Sequence, residues 1–269
     1  MKIKFYITTY NNNEILNDWI LKSLHESDYV RNNVEIFVID NHSNVHINDE
    51  YSSFVKVLAN NLRPDFSTGH LSRNHNQAII NGFESLIDPK CDVVVSCQND
   101  TKVLKNWYQT LCEAMKTYTF FTAGAGDQFQ AFKAEGVRNI GLYDERFCNI
   151  GFQEADYFLR AYLYNKEHSS INDVGHGRIH NRHNQPLIEK TETGFHRKES
   201  SHVESHKLHA ISRAVLYKKW GKEYGDLYGV FWHKHQFLDE SNCLTDNYVM
   251  YPYFEKDIID PKGKRYIGI

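Results

Sequence analysis

The sequence predicts an α/β fold in which a mostly parallel sheet is flanked by helices. Residues 2–118 alternate between strand-like apolar runs and helical apolar stripes, in the order strand, helix, strand, strand, helix, strand, helix. This alternation is typical of a parallel sheet, because each crossover returns the chain to the same sheet. The apolar run that begins at Val93 and ends in the polar residues Gln98, Asn99 and Asp100 has the pattern of a strand buried on both faces.

In this first half, strands are predicted from apolar runs rich in β-branched and aromatic residues, and helices from apolar residues spaced three or four apart. The first strand is Lys2–Thr9, and the helix after it begins near Asn13, which suits an N-cap. The helix after the valine-rich strand carries Trp107 and Leu111 on one face. The other elements are strands at 34–40, 54–60 and 92–100 and a helix from about 71.

The second half of the chain is less regular. Short strands are predicted at 119–123, 130–134 and 169–175, and a helix opens within Gly151–Arg160. Residues 185–200 are polar and predict a loop, after which Ser201 and Glu204 fit a capping box for a last helix. We therefore expect one α/β domain at 1–184, with halves 1–118 and 119–184, followed by a loop and a small helical extension at 185–269.

Composition and charge exclude several classes of protein. The net charge of -3 gives no general attraction to nucleic acid, and no apolar run reaches the length of a membrane span. The first residues lack the pattern of a signal peptide, and five scattered cysteines without C-x-x-C are typical of reduced thiols in a cytosolic protein. We expect a cytoplasmic protein that has no transmembrane segment, although peripheral membrane association is compatible with the sequence.

Polar residues end several of the predicted strands. Thr9, Asp40 and Asp100 end three of them, and in a parallel sheet these ends gather at one edge, where ligands bind. The turn Thr8–Asn13 has no glycine, which excludes the glycine-rich loops of dinucleotide-binding Rossmann folds and of P-loop proteins. A structural role stays open for each acid, because Asp100 could cap the next helix and Asp40 could form a turn.

Six signals follow one another in a recognisable order. They are Ile7–Asn11, Val38–Ser43, Ser72–Asn76, Gln98–Asp100, the pair Gly141–Phe147 and Gly151–Arg160, and Tyr217–Gly221. Their order and spacing over about residues 2–184, with the last segment as a tail, resemble nucleotide-sugar glycosyltransferases of the GT-A fold, family 2 type. The resemblance implies a GT-A catalytic domain at 1–184, with a nucleotide-binding half at 1–118 and an acceptor half at 119–184.

The resemblance implies a nucleotide site at the strand ends. Thr9 and Tyr10 would lie beside the nucleotide, and Asp40 would accept hydrogen bonds from the base or the ribose. Arg73, at the start of a helix, would offset the diphosphate charge, although an ordinary exposed arginine would explain it equally well. The same nucleotide-binding set includes Asn74, Gln98 and Asn99.

The resemblance also implies a metal site, because Gln98–Asp100 stands where the family has its D-x-D motif. The first acid of that motif is Gln98 here, so Asp100 is the implied carboxylate ligand of Mn²⁺ or Mg²⁺. The family often supplies a late histidine, which implies His176 as a further ligand, with His180 as the alternative. Zinc is disfavoured, because the chain has no H-E-x-x-H motif and no partner cysteines.

In the family an acid at the start of a late helix takes the proton of the acceptor hydroxyl. Glu154 is the implied base, although the acid pair here is Gln153-Glu154 rather than Glu-Asp. Asp156 is implied to support the helix start or to orient the acceptor. Both acids also have a structural explanation, because acids stabilise a helix N-terminus. The implied reaction is inverting transfer from a UDP-, GDP- or dTDP-sugar to a glycan or another hydroxyl acceptor.

Two alternative functions stay open. Because Gln98 replaces an acid of the metal motif, the chain could be a catalytically inactive GT-A-like protein that binds nucleotide sugars. A nucleotidyltransferase on a similar sheet would need a glycine-rich, basic first turn, which Thr8–Asn13 lacks.

Overall fold

A computed structural model of the chain describes residues 1–10, 12–41, 45–60, 71–124, 127–147, 152–168, 174–175, 178–179, 187–189, 212 and 214–219. The main sheet has six strands, namely β1 (Ile3–Thr9), β2 (Val34–Asp40), β3 (Val55–Ala59), β4 (Val93–Gln98), β5 (Phe120–Ala123) and β6 (Phe129–Phe132). Their order in the sheet is β3-β2-β1-β4-β6-β5. The predicted fold class, a mostly parallel sheet flanked by helices, is confirmed.

The parallel part of the sheet is built on β1. This strand pairs in parallel with both β2 and β4, and β2 pairs in parallel with β3, whereas β6 runs antiparallel to both β4 and β5. The register places Thr9 beside Asp40 and Thr8 beside Gln98. The carboxyl ends of β1, β2 and β4 therefore lie at one edge, where ligands bind in open α/β sheets.

The helices follow the apolar spacing, with differences at their ends. They are α1 (Asn13–Ile15), α2 (Lys22–Glu26), α3 (Asp49–Ser52), α4 (Leu71–Phe83), α5 (Trp107–Thr117), α6 (Ala134–Ile140) and α7 (Phe152–His168), and a π-helical stretch, Leu16–Leu21, joins α1 to α2. The side chain of Asn12 accepts a hydrogen bond from the backbone N–H of Ile15 at 3.2 Å, so the N-cap is Asn12 and not Asn13. Residues 212 and 214–219 are helical as well, within the helix predicted near the C-terminus.

The helix after β4 begins later than the sequence predicts. Its N-cap is Asn106, and residues 101–106 form an irregular connection in which Val103 makes an isolated antiparallel bridge to Ile188. The backbone N–H of Leu104 also donates to the carbonyl of Leu187 at 3.0 Å. Asp100 therefore does not cap this helix, and the structural explanation left open for Asp100 is wrong.

Both faces of the sheet are covered near its centre. On one face, the ring of the fully buried Trp107 meets that of Phe5 edge-on, with centroids 5.3 Å apart, and the ring of Phe129 lies 5.8 Å from that of Phe5. On the other face, α4 approaches β4 so closely that a Cβ added at Gly82 would lie 2.3 Å from a methyl group of Val94. Burial on both faces explains the continuous apolar run of β4.

Contacts divide the chain into two units. The first contains the six-stranded sheet and comprises Met1–Asp65, Gln77–Val137 and His180–Arg197; the second contains α7 and comprises Phe66–Asn76, Arg138–Ile179 and Lys198–Ile269. The second unit also holds two short antiparallel strands, β7 (Val174–Gly175) and β8 (Arg178–Ile179). The domain boundaries at 118/119 and 184/185 stay predictions.

None of the helices in the described ranges has the length and apolar character needed to cross a membrane.

Candidate functional site

The ends of β1, β2 and β4 bring several predicted site residues together within the first unit. Thr9 and Asp40 are neighbours in the register of β1 and β2. The side-chain amide of Asn99, just past β4, donates to the hydroxyl oxygen of Thr9 at 2.9 Å. All three side chains are buried, and Tyr10, the next residue after β1, is half-buried. The predicted cluster of polar strand ends therefore exists in the folded chain.

Asp40 supports the turn that follows its own strand. One of its carboxylate oxygens accepts a hydrogen bond from the backbone N–H of Val45 at 3.0 Å. The next residue, Asn41, donates from its side-chain amide to the carbonyl of Thr9 at 3.1 Å. The turn-forming role that the sequence left open for Asp40 is therefore present, and a contact to a nucleotide base or ribose remains a prediction for this residue.

The end of β4 is held by the turn between β5 and β6. The side-chain amide of Gln98 donates a short hydrogen bond to the carboxylate of Asp127. The side-chain amide of Gln128 donates to the carbonyl of Asp100 at 3.2 Å, and the hydroxyl of Thr101 donates to the carbonyl of Gln128 at 3.2 Å. The turn therefore fixes the strand end that resembles the metal motif, and it adds a carboxylate that sequence analysis did not select.

The buried thiol of Cys97, the residue before Gln98, is influenced by two carboxylates. Burial is the main cause that raises the pKa of Cys97 above its ordinary value, and the negative charges of Asp100 and Asp127 raise it further, against a hydrogen bond with Thr101 that lowers it. Asp100 and Asp127 are themselves almost fully buried. Two acids and the amide of Gln98 form an oxygen-rich set at this strand end, which is the chemistry that Mg²⁺ and Mn²⁺ accept.

The sequence also predicts histidine ligands for the metal ion. His176 and His180, the predicted imidazole ligands, both lie outside the described residues. Within the described ranges, no group of three or more histidine, cysteine, aspartate or glutamate side chains is arranged to hold a metal ion. The carboxylates of Asp100 and Asp127 have the chemistry that a divalent cation requires, and a metal site at this strand end stays a prediction.

In the second unit, the start of α4 is tied to the segment before α7. The side chain of Asn76 pairs with both backbone groups of Tyr143, donating to its carbonyl at 2.9 Å and accepting from its N–H at 2.7 Å. The Nε of Arg73 lies 3.4 Å from a carboxylate oxygen of Glu145, and the Arg73 side chain is 38% exposed. Arg73 therefore has an acidic partner and keeps a solvent-accessible surface, which is compatible with the predicted diphosphate contact.

Asn74 is a predicted nucleotide-binding residue whose side-chain amide lacks hydrogen-bond partners in the described structure. Its side chain is buried, and among the residues that the structure describes neither the amide nitrogen nor the amide oxygen has a hydrogen-bond partner. A buried amide without partners costs about 1–3 kcal/mol, so native proteins usually supply a partner, a water molecule or a ligand. The lack of partners for this buried amide supports the prediction that Asn74 lies in a binding site.

The first turns of α7 carry Glu154 and Asp156 in a buried, charged environment. Glu154 is 7% exposed and Asp156 is fully buried. One oxygen of Asp156 accepts a hydrogen bond from Nε of Arg160 at 3.0 Å, and the other lies 2.9 Å from Nζ of Lys219. These ion pairs are compatible with the prediction that Asp156 supports the start of the helix.

A second buried acid completes this cluster. Asp144 accepts hydrogen bonds from the guanidinium of Arg146 and, at 2.8 Å, from Nζ of Lys219. Burial alone would raise the pKa of Asp144, but the positive charges of Lys219 and Arg146 outweigh it and hold the pKa well below its ordinary value. The cluster therefore contains ionised side chains that stabilise one another within the second unit.

We expect acid to weaken the folded state partly through Asp144. Because its folded pKa is lowered, its contribution to stability is complete above the unfolded value of about 3.9 and is lost as the pH falls through the lower folded value. Asp144→Asn should lower the free energy of unfolding at neutral pH by about 3 to 5 kcal/mol and flatten its dependence on pH below about pH 4. Urea unfolding of both proteins across this pH range measures the two effects.

Asp88→Asn is the matched control for this experiment. The Asp88 side chain is 86% exposed and pairs with Lys90 on the surface, so we expect a change of about 1 kcal/mol or less. The same slope of stability with pH in Asp144→Asn and in the unmodified protein would contradict the assigned role of Asp144.

Four residues that the structure brings to these sites were not predicted from the sequence: Asp127, Asn76, Asp144 and Lys219. Asn76, Asp144 and Lys219 lie inside segments that carried the resemblance, so their position was a usable signal. Asp127 lies outside those segments and meets Gln98 only through long-range packing. The predicted site residues divide between the units, with Thr9, Tyr10, Asp40, Gln98, Asn99 and Asp100 in the first and Arg73, Asn74, Glu154 and Asp156 in the second.

Comparison with known proteins gives a fold and no family. No protein-family model matches the sequence, and no curated protein matches it either. Among solved structures, residues 1–349 of S. aureus TarS give a TM-score of 0.54 at 14% identity, covering 90% of this chain and 74% of that one. A longer TarS structure gives 0.56 at 12% identity, with 90% of this chain and 45% of that one covered.

A third comparison involves TarS 1–349 in complex with UDP-GlcNAc. It gives a TM-score of 0.51 at 14% identity and covers 90% of this chain and 74% of that one. At these identities the likeness shows the α/β fold of GT-A type.

Proposed function

We propose that this chain is a glycosyltransferase that moves a sugar from a nucleotide-diphosphate sugar to a hydroxyl acceptor. The observation that carries the proposal is the buried polar set at the carboxyl ends of β1, β2 and β4, which includes Asp100 two residues past β4. It stands on a GT-A-type sheet, and Asp100 has no helix to cap. The complex of TarS with UDP-GlcNAc supports a nucleotide sugar as the donor. Membership of family 2 stays a prediction.

In this proposal the nucleotide lies against the strand ends. Thr9, Tyr10, Asp40 and Asn99 supply hydrogen-bonding groups that can recognise a base and a ribose. The side-chain amide of Gln98 is engaged with Asp127, which leaves its carbonyl as the polar group for a ligand. Arg73 and Asn74 are proposed for the diphosphate, since one carries a partly exposed guanidinium and the other a buried amide without partners in the described structure.

A divalent cation, Mn²⁺ or Mg²⁺, is part of the proposal. Asp100 would hold it, Asp127 is the second carboxylate at the same strand end, and His176 or His180 is proposed as an imidazole ligand. When bound, such an ion neutralises the negative charge that develops on the departing nucleoside diphosphate. Gln98 keeps Asp127 in place through its hydrogen bond, which offers a reason for an amide in the first position of the motif.

Glu154 is proposed as the general base of an inverting transfer. Its carboxylate takes the proton of the acceptor hydroxyl as the hydroxyl oxygen forms a bond to the anomeric carbon. The bond from that carbon to the diphosphate oxygen breaks at the same time, and the nucleoside diphosphate leaves with the electron pair. Asp156, fixed by Arg160 and Lys219, is proposed to orient this part of α7.

The second candidate is a nucleotide-sugar-binding protein of GT-A type that does not catalyse transfer. It is favoured by one observation, the amide of Gln98 in place of an acid. Binding of a donor without turnover would support it. The nature of the acceptor as a glycan, the cytoplasmic location and a peripheral contact with membranes are further predictions.

A thermal-shift screen with UDP-GlcNAc, UDP-glucose, GDP-mannose and dTDP-glucose tests the proposal most directly. A donor present at about 100 times its Kd should stabilise the protein by about 2.7 kcal/mol. For a chain of this size, each kcal/mol of stabilisation raises the melting temperature by about 2 to 4 °C. The increase in melting temperature should be larger when Mn²⁺ is present. The free monosaccharides serve as controls, and the absence of a shift with every donor would contradict the proposal.

A further inference from the structure

Lys219 lies between two acids that are both far from it in the sequence. Its Nζ is 2.8 Å from a carboxylate oxygen of Asp144 and 2.9 Å from one of Asp156. The lysine side chain is 2% exposed, and the two acids are 2% and 0% exposed. The same Nζ lies 5.9 Å from the centroid of the Phe147 ring, which closes the cluster on an apolar side. Lys219 thus joins the C-terminal segment to the chain before α7 and to α7 itself.

Both acids held by Lys219 have a further cationic partner. Arg146 pairs with Asp144, and Arg160 pairs with Asp156. Nη1 of Arg160 also donates to the carbonyl of Ile140 at 2.8 Å. The chain turns sharply at Gly141, where φ is +93° and an added Cβ would lie 3.0 Å from the same guanidinium nitrogen. Lys219 therefore completes a network that fixes the segment at 140–147 against α7.

This network holds the first turns of α7, which also carry Glu154. Glu154 precedes Asp156 by two residues on α7, so a carboxylate of Asp156 held at both oxygens fixes the turn that presents Glu154. Tyr157, the next residue, is held as well, because its ring stacks on that of Tyr143 with centroids 4.2 Å apart. Glu154 is itself almost fully buried, so its carboxylate follows the backbone rather than adjusting freely in solvent.

Burying a lysine is expensive unless its charge is compensated, and a surface lysine would link two segments at lower cost. We propose that Lys219 is a positioning residue for Glu154, which rests on the proposed role of Glu154 as the base. The lysine does not touch the reacting atoms. It neutralises and bridges Asp144 and Asp156, so that α7 presents the carboxylate of Glu154 in one position.

The test compares three variants of the full chain. The paired variant carries both Lys219→Met and Asp144→Asn. It removes one positive and one negative buried charge together, so the net charge of the cluster is unchanged. Lys219→Arg keeps the charge but places a longer, planar group between the acids. Lys218→Met is the matched control, because Lys218 is the adjacent residue and is exposed.

We expect kcat for transfer to fall about 100-fold in the paired variant, with the KM for the donor within about twofold of the unmodified protein. Lys219→Arg should fold, with a kcat about 10-fold below the unmodified protein, and Lys218→Met should behave as the unmodified protein. A purely structural role would lower the melting temperature and the fraction of active protein, but kcat per active site, with the sites counted by donor titration, would equal that of the unmodified protein. A kcat equal to that of the unmodified protein in either Lys219 variant would overturn the proposal.

The crystal position of Glu154 in the Lys219 variants is a second readout, independent of any donor. We expect its carboxylate to move by more than about 0.5 Å, the tolerance of a working site, and an unmoved carboxylate would also overturn the proposal. Glu154→Gln separates this proposal from the proposed function. If Glu154→Gln transfers at the full rate, the base assignment fails and the inference fails with it. If Glu154→Gln is inactive while both Lys219 variants are fully active, only the role of Lys219 is wrong.

Discussion

Replacing Glu154 by glutamine is expected to lower the rate of sugar transfer about 100- to 10,000-fold and to leave nucleotide-sugar binding unchanged. Glutamine has nearly the same size and shape, so the substitution suits a side chain that is only 7% exposed. It removes the basic carboxylate that would take the proton of the acceptor hydroxyl. Steady-state kinetics with a donor and an acceptor measure the rate, and titration calorimetry with the same donor measures the binding.

Glu113→Gln is the control for this experiment, because Glu113 lies on α5 with its side chain 64% exposed and pairs with Lys116 on the surface. Its kinetics should match those of the unmodified protein. Transfer at the full rate in Glu154→Gln would remove the base assignment. Loss of donor binding together with transfer would instead place Glu154 in the donor site.

Asp100→Ala should lower Mn²⁺-dependent hydrolysis of the donor about 100- to 1,000-fold. The reason is the loss of the carboxylate that is proposed to hold the cation at the diphosphate. In the folded chain Asp100 is buried beside the turn that carries Asp127, and it has no role as a helix cap. Hydrolysis measured over a series of Mn²⁺ concentrations gives the effect on turnover, and the electron paramagnetic resonance signal of free Mn²⁺ gives the effect on metal binding.

Asp127→Asn tests the second carboxylate at the same strand end, and its Mn²⁺ binding should weaken in the same direction. Asp88→Ala, an exposed surface acid, is the control and should bind Mn²⁺ as the unmodified protein does. Unchanged Mn²⁺ binding in Asp100→Ala would contradict the metal assignment. Donor binding in the unmodified protein without any turnover would favour the binding protein over the enzyme.

Most of the strands and their succession along the chain could be predicted because their signals are local, whereas their order in the sheet comes from the structure. The continuous apolar run of β4 reflects burial on both faces, and the regular crossovers of an α/β chain bring the ends of β1, β2 and β4 to one edge. The sequence therefore predicts that Thr9, Asp40 and Asp100 lie at one edge, and Thr9 and Asp40 are neighbours in the register of the sheet. The resemblance to GT-A glycosyltransferases added Arg73, Asn74, Glu154 and Asp156, whose proposed roles await the experiments above.

Helix α6 shows where local signals were insufficient. Its seven residues include Gly136, a poor helix former, and the sequence did not predict a helix there. In the folded chain a Cβ added at Gly136 would lie 2.4 Å from the carbonyl oxygen of Thr119. The close approach to the start of β5 requires a glycine at this position. Tertiary packing therefore overrides the propensity of this segment.

The α/β architecture and the polar strand ends follow from the sequence, because apolar periodicity and crossover geometry are properties of neighbouring residues. The side chains that meet across long separations are known from the folded chain and not from local patterns. Gln98 meets Asp127 because β6 runs antiparallel to β4, and Lys219 meets Asp144 although 75 positions separate them. Such ion pairs and hydrogen bonds depend on packing and register, which produce no periodic pattern in the sequence. These are the contacts that define the environment of Asp100 and of Glu154.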